Sequence, residues 1–463
     1  MGILVDRQLG IALLVIQAVF LVLFAIFANY KTGEGETHDD LGRYAYFQDV
    51  HIMIFIGFGF LMTFLRRYGY GAVGFNMLLA ALTIQWAMLV ERMLQYRGSF
   101  EISFTNLLEA DFCAAAVLIS FGAVLGRLHP FQLLVMTLIE VCVYSINIHV
   151  GLHYFKALDA GSSIFVHTFG AYFGLAVAWA NHRKFHVEHA SASSVYHSDL
   201  FSMIGTVFLW ICWPSFNAGV VADEAGQYRA LINTLLALVS CTVVTFAASS
   251  ILNKQAKIDI VHVQNSTLAG GVAAGACANF MIQPFGALIL GATAGAISVA
   301  GFNYVSPFLA NKLNLFDTCG VHNLHGMPGI LSAVAATIEI LVASETKYGN
   351  EFHSVFPAMQ HTNSTGGEVH VVPGWSHQQQ AGMQLAALAV TLACALVAGV
   401  VTGFVVNVKW CGRLDVEEVF EDDRFWELPS DVSSLALPTH QHYDDDVDAT
   451  VMQPLAAAAG TAS

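Results

Sequence analysis

Asp159-Ala-Gly-Ser-Ser-Ile-Phe-Val-His167 and Asp317-Thr-Cys-Gly-Val-His-Asn-Leu-His325 decide how this chain is read. Each is an aspartate, seven residues and a histidine, and each opens a long apolar stretch. Eight residues of helix rise about 12 Å, so a histidine at that offset from a membrane surface arrives near the middle of a ~30 Å hydrocarbon core. Working outward, apolar blocks fall at approximately 9–29, 49–65, 72–91, 106–126, 131–150, 161–180, 199–221, 231–251, 259–280, 285–305, 321–343 and 381–409. The two motifs open the sixth and eleventh of these twelve blocks. Five spans apart is an odd number, so the two helices enter from opposite faces. The expected fold is an all-α polytopic membrane protein of about twelve helices. Its core is a five-plus-five inverted repeat, 49–180 and 199–343, with the first and last spans outside it. The two imidazoles should meet near the bilayer centre, and each aspartate should cap free N–H groups at its helix start.

Composition agrees. Of the 463 residues 56% are hydrophobic and 11% charged, with a mean hydropathy of +0.60, whereas soluble domains are about 25% charged. Net charge is −15, and the segment after Cys411 holds most of it, with twelve Asp and Glu against Arg413 and Arg424. The acidity therefore belongs to a tail, and a nucleic-acid role is excluded. The chain divides into a membrane domain, 1–409, and an acidic tail, 410–463. Within the tail, Leu414, Val416, Val419, Phe420, Phe425 and Trp426 among charges predict a short amphipathic piece over 412–428, and disorder is expected after about 429. Twelve of the nineteen basic residues, from Arg7 to Arg424, fall on the side of the termini, which predicts cytoplasmic termini. Leu9–Ala28 is too long for a signal-peptide core and reads as a retained span. Seven of eight cysteines lie in or at the ends of apolar blocks, so no disulfide framework is implied.

Other features carry ordinary readings. Gly271-x-x-x-Gly275 and Gly291-x-x-x-Gly295 let helix backbones approach closely. His149-x-x-x-His153 has metal-ligand spacing, yet the sequence offers no Cys or Glu nearby to complete a tetrahedral set, and no metal or cofactor is called for. His353, His361, His370 and His377 read as solvated loop residues, and Asn363-Ser-Thr in the long loop 344–380 as a glycan acceptor. Glu109, Asp111, Glu140 and Glu339 are costly in lipid and should face protein or water. Trp213-Pro-Ser-Phe216-Asn217 is expected to interrupt the seventh span.

The sequence resembles the Rhesus-type branch of the ammonium transporter superfamily. The resemblance rests on Phe47-Gln-Asp-Val-His51, Asn106-Leu-Leu-Glu-Ala-Asp-Phe-Cys113, His167-Thr-Phe-Gly-Ala-Tyr-Phe-Gly174, Trp213-Pro-Ser-Phe-Asn217, Val263-Gln-Asn-Ser-Thr-Leu-Ala-Gly-Gly271 and Asn323-Leu-His-Gly-Met-Pro-Gly329. It implies a plasma-membrane homotrimer in the lipid bilayer, each subunit with its own narrow apolar pore for ammonia or ammonium, and no enzyme chemistry. By matching motif, it implies that His167 and His325 are the twin pore histidines, Phe112 and Phe216 the stacked rings of the outer gate, Asn217 a neighbour of that gate and Asp159 the acidic residue that orients the entrance. Two departures stand out: Lys31–Gln48 lacks the sequon many such proteins carry there, and the tail after about Leu428 matches nothing in the family.

The residues themselves favour a neutral cargo. A bare cation at the midplane of an apolar channel costs several kcal/mol without replacement ligands. Two imidazoles can donate and accept hydrogen bonds, and a pKa near 6.5 allows proton exchange without a permanent charge. The expected mechanism is loss of a proton by ammonium near the phenylalanines or at the histidine pair, followed by passage of ammonia. Three alternatives stay open: a neutral-gas channel for carbon dioxide, a His-based metal or proton transporter, and a non-conducting membrane scaffold or sensor.

Overall fold

The computed structural model describes residues 7–30, 41–95, 98–365 and 368–429, the side chains of 361–373 aside. Eleven helices among the described residues are long and apolar enough to cross a membrane. They are α1 Gln8–Phe27, α2 Tyr44–Phe64, α3 Gly69–Leu94, α4 Phe104–Ala123, α5 Pro130–His153, α6 Ser163–Ala180, α7 Tyr196–Ala218 and α8 Glu224–Leu252, then α11 Gln283–Leu313, α12 His322–Val342 and α13 His377–Val406. The expected ninth span is built differently. Its 259–280 block folds as two short helices, α9 Ile260–Ser266 and α10 Ala269–Gly275, joined where Leu268 N–H donates to the Asn265 carbonyl in a tighter, three-residue turn. Glycine holds a helix weakly, so at Gly270, Gly271 and Gly275 packing decides the path. Gly271 lies beneath the Trp213 indole and Gly275 against Gly161, and a Cβ at either would collide.

Burial orders the helices. The α6 window is 83% buried within the protein, that of α1 only 6%. Helix α6 is therefore the centre of the bundle and α1 a peripheral helix, which leans on α3 through stacked Phe20 and Trp86 and a Gln17–Gln85 hydrogen bond of 2.8 Å. Close crossings need small residues: a Cβ at Gly174 of α6 would sit 2.6 Å from Ser120 Cα of α4, and one at Gly291 of α11 would sit 2.0 Å from the Ala237 carbonyl of α8. The expected tight packing at Gly291 and Gly271 is what the structure has.

One further expectation needs correcting. Pro214 does not interrupt the seventh span, because α7 runs unbroken through it to Ala218. Proline removes one backbone donor near the helix end, a loss membrane helices absorb where neighbours re-satisfy the freed groups. The 412–428 piece is not helical over most of its length. It runs as an extended strap with one 3₁₀ turn, Val416–Glu418, whose apolar residues Leu414, Val419 and Phe420 are buried under inter-helix loops. Its bonds reach far along the chain: Phe420 N–H donates to the Gly126 carbonyl, Arg183 to the Leu414 carbonyl, and Asp422 accepts from the backbone N–H groups of Tyr70 and Gly71. Glu421 pairs with Arg67 and accepts from Ser191. Gln8 of α1 donates to the Trp410 carbonyl at 3.1 Å, which puts both ends of the membrane domain on one face.

The only sheet among the described residues is two pairs of short strands, β1 Ala28–Tyr30 parallel to β2 Phe100–Ile102, and the hairpin β3 Gln360–Thr365 with β4 Glu368–Pro373. Asn363 pairs with His370 in that hairpin. The expectation of disorder after 429 falls outside the described residues, as does all of 31–40.

Candidate functional site

Both motif helices begin alike. Asp159 Oδ2 accepts from the backbone N–H groups of Ile164 and Phe165 at 2.9 and 3.0 Å. Asp317 accepts from Gly320 and Val321 through Oδ1 and from His322 through Oδ2, at 2.9–3.0 Å. Each cap leads into a π-helical turn, Ser163–Thr168 or His322–Gly326, that carries the motif histidine inward. A π turn widens the helix and re-aims its side chains, and such turns recur at functional sites. Burial pushes the Asp159 carboxyl up to about 7, against backbone N–H groups that pull it down.

The two caps deliver His167 and His325 to each other. Their Nδ1 atoms are 3.1 Å apart and their rings nearly parallel, at 6° and 5.1 Å between centroids. They are 1% and 3% exposed. One Nδ1 must donate and the other accept, so the bonded pair holds one shared proton between the two Nδ1 atoms.

Aromatic rings extend this pair in both directions. His167 stacks on Trp213 at 5.5 Å and lies 5.6 Å from Phe216. Phe216 in turn lies 4.3 Å from Phe112, ring to ring. On the other side Phe58 of α2 stacks on His325 at 6.1 Å. Beyond His325 a cavity of about 20 Å³, lined by Phe58, Leu118, Val321 and Asn265 among others, has room for a water-sized molecule. Asn217 directly follows Phe216 on α7. It is fully buried, its amide donating to Thr234 Oγ1 and to the Gly271 carbonyl, so it ties α7 to α8 and α10 behind the rings. Asp159 stands at the helix start as a cap. Among the described residues no third His, Cys, Asp or Glu joins the histidine pair to make a metal set.

Residues 12–425 match the Ammonium Transporter Family. The chain belongs to that family, in its Rh branch. It is similar to Ammonium transporter Rh type B of Danio rerio, 43% identical over 439 residues, covering 92% of this chain and 94% of that protein. Ammonium transporter Rh type B-A of Xenopus laevis is 45% identical over 440 residues, covering 91% and 93%. Among solved structures, Rh50 of Nitrosomonas europaea aligns with a TM-score of 0.71 at 33% identity, over 86% of this chain and 96% of that one. Mep2 of Saccharomyces cerevisiae, at 18% identity and a TM-score of 0.67, shares the fold.

In this Rh chain the costly carboxylates face protein. Asp111 and Glu140 are fully buried; Ser120 donates to Glu140 at 2.5 Å, and His51 Nδ1 lies 3.0 Å from Asp111. Glu339 pairs with Lys347 at 2.9 Å. Around His149 and His153 no metal-holding set of His, Cys, Asp or Glu forms among the described residues, although two carboxylates share a cavity with them. A cavity of about 60 Å³ is lined by both histidines together with Glu91, Glu109, Ser145 and Phe112. Sequence reading missed Glu91 because it sits at the end of the third block, where a charge needs no explanation. It also missed Asp49 and Ser215, which lie 2.5 Å apart, since nothing local relates residues so far apart in the chain.

Proposed function

We propose that this Rh chain moves ammonium nitrogen across the plasma membrane as ammonia, through a narrow pore in each subunit of a homotrimer with cytoplasmic termini. The observation that carries the reading is the bonded pair His167–His325 at 3.1 Å, in line with Phe216 and Phe112. Family membership supports ammonium or ammonia as cargo. The first and second five-span halves, 49–180 and 199–343, are read as an inverted repeat whose two motif histidines meet at the centre. The chain's two described caps support this, since each is an aspartate eight residues ahead of its histidine.

The chemistry follows from desolvation. Ammonium reaching the Phe112–Phe216 ring pair must shed water, and a bare cation beyond it would meet aromatic and aliphatic walls at a cost of several kcal/mol. Breaking one N–H bond leaves neutral ammonia. The proton passes to water on the outer side or to an imidazole nitrogen of the pair. Ammonia then finds in the pair one nitrogen that donates and another that accepts. Phe112 and Phe216 act as the entrance, Asp159 holds the mouth of α6 in shape, and Asn217 fixes the backing of the rings.

The test is an ammonium gradient across liposomes holding purified protein, with internal pH followed at clamped and free membrane potential. The expected result is a fast protein-dependent pH change; its absence in correctly assembled protein contradicts the proposal. Trimers mixed from active and inactive subunits should lose activity in proportion to the inactive fraction, and an all-or-none loss contradicts one pore per subunit.

A further inference from the structure

The two rings of the entrance are carried by different helices, yet each follows directly after a residue tied to the same third helix. Asp111, one residue before Phe112 on α4, is fully buried and is bonded to His51 Nδ1 at 3.0 Å. Ser215, one residue before Phe216 on α7, donates to Asp49 Oδ2 at 2.5 Å. Asp49 and His51 both belong to α2. Two residues of helix turn through about 200°, so these side chains leave α2 on nearly opposite sides. The outer end of α2 is therefore a strut, with α4 held on one flank and α7 on the other. Its own seat is fixed: Arg43, just ahead of the helix, donates to the Gly219 and Val221 carbonyls beyond the end of α7, and Phe47 packs on Phe104 at 5.7 Å. The His51 ring is itself gripped between Phe47 and Phe55, at 5.0 and 4.6 Å.

We propose that Asp49 and His51 are positioning residues that set the 4.3 Å spacing of Phe112 and Phe216 and so set the size of amine the entrance admits. The proposal rests on reading that ring pair as the entrance. Rotating α4 or α7 slightly about its axis swings a ring that stands directly beside the tethered residue. Packed helices without the ties still touch, but their rotation is set by apolar contacts, which have little directional preference. A hydrogen bond has such a preference, weakening steeply off its line. His51 donates to the Asp111 carboxylate and Asp49 accepts from the Ser215 hydroxyl, so the two ties differ in chemistry and are separately breakable.

The experiment compares transport of ammonium, methylammonium and ethylammonium by the full-length protein in liposomes. His51→Ala and Asp49→Ala are expected to raise the methylammonium-to-ammonium ratio about threefold each, the effect of one net hydrogen bond. His51→Gln retains a donor and Asp49→Asn retains an acceptor, so both should keep the ratio near that of the unaltered protein. Ser215→Ala breaks the second tie from its other end, leaving the half-buried Asp49 carboxylate without its hydroxyl donor, and should match Asp49→Ala. Because Asp111 loses its partner in His51→Ala, that variant is scored only as assembled trimer, and Ser215→Ala carries the test if it fails to fold. Phe112→Ala is the control for the entrance itself. If Phe112→Ala shifts the ratio while the strut variants leave it unchanged, the strut is refuted and the entrance reading stands. If Phe112→Ala leaves it unchanged, both fall.

Discussion

On the proposed reading of a path through the histidine pair, its two ends are closed by different means. Toward Phe112 the obstruction is a pair of side chains 4.3 Å apart, carried by helices that α2 joins through polar ties. Toward the termini Phe316, just ahead of the 317–321 turn, packs on Phe420 of a strap stitched to loops far from it in sequence. Their caps differ in the same sense. Asp317 uses both oxygens on three N–H groups, Asp159 one oxygen on two. Rings can swing and choose among cargoes, whereas a stitched strap holds shape. On the proposed reading, selection falls to the Phe112 end and structural integrity to the strap end.

This contrast is open to attack in several places. The largest effect is expected at Phe420, fully buried against Gly126 and His189. Phe420→Ala should cost about 3–5 kcal/mol, the usual range for a buried phenylalanine, and lower the melting temperature in detergent sharply. A melting temperature equal to that of the unaltered protein would mean the strap holds nothing. Next come the caps. Asp317→Ala should cost about 2 kcal/mol and Asp159→Ala about 1 kcal/mol, in line with the number of N–H groups released. Equal losses in the same thermal assay would erase the difference between the ends.

A smaller effect concerns pH. Burial pushes the Asp422 carboxyl up to about 6 from its ordinary 3.8, against the pull of the Gly71 and Tyr70 N–H groups. The docked strap therefore binds this proton more tightly than a released one. Its contribution to docking is full below about pH 4 and is lost as pH rises through about 6. Protease cleavage within 411–428 should be slower near pH 5.5 than near pH 7.5, and the reverse order would refute the assignment. Smallest of all, deletion of 430–463 should leave transport close to normal, because the strap residues that bond to the loops, Leu414 to Asp422, are kept. Complete loss of flux in surface-delivered protein would show that the remainder does more.

Much of this was legible in the sequence because it depends on one pitch and one thickness. Each aspartate caps a helix that opens four or five residues later, at Ser163 and His322, so the equal spacing brought His167 and His325 together although only part of it is helical. What escaped were relations across the chain. The strap reads locally as an amphipathic piece since apolar and charged residues alternate in it. Its partners Arg67, Tyr70, Gly71 and Ser191 lie more than two hundred residues away and leave no periodic trace. The same holds for Glu91 and Glu109 converging on His149 and His153, and for the ties of Asp49 and His51. In the ninth block, composition foretold an apolar span, but glycines under Trp213 and beside Gly161 let packing divide it.

The central claim is that the bonded histidine pair handles ammonia and its proton, and its most direct test is a paired one. Internal pH and current are recorded in the same liposomes, under one ammonium gradient, for unaltered protein, His167→Ala, His325→Ala and His167→Glu. The account predicts that either alanine variant keeps ammonia flux while any proton-coupled component disappears, and that His167→Glu, by placing a fixed charge beside His325, favours cation passage and carries current. If all four proteins behave alike in both signals, the pair is packing and the mechanism is wrong.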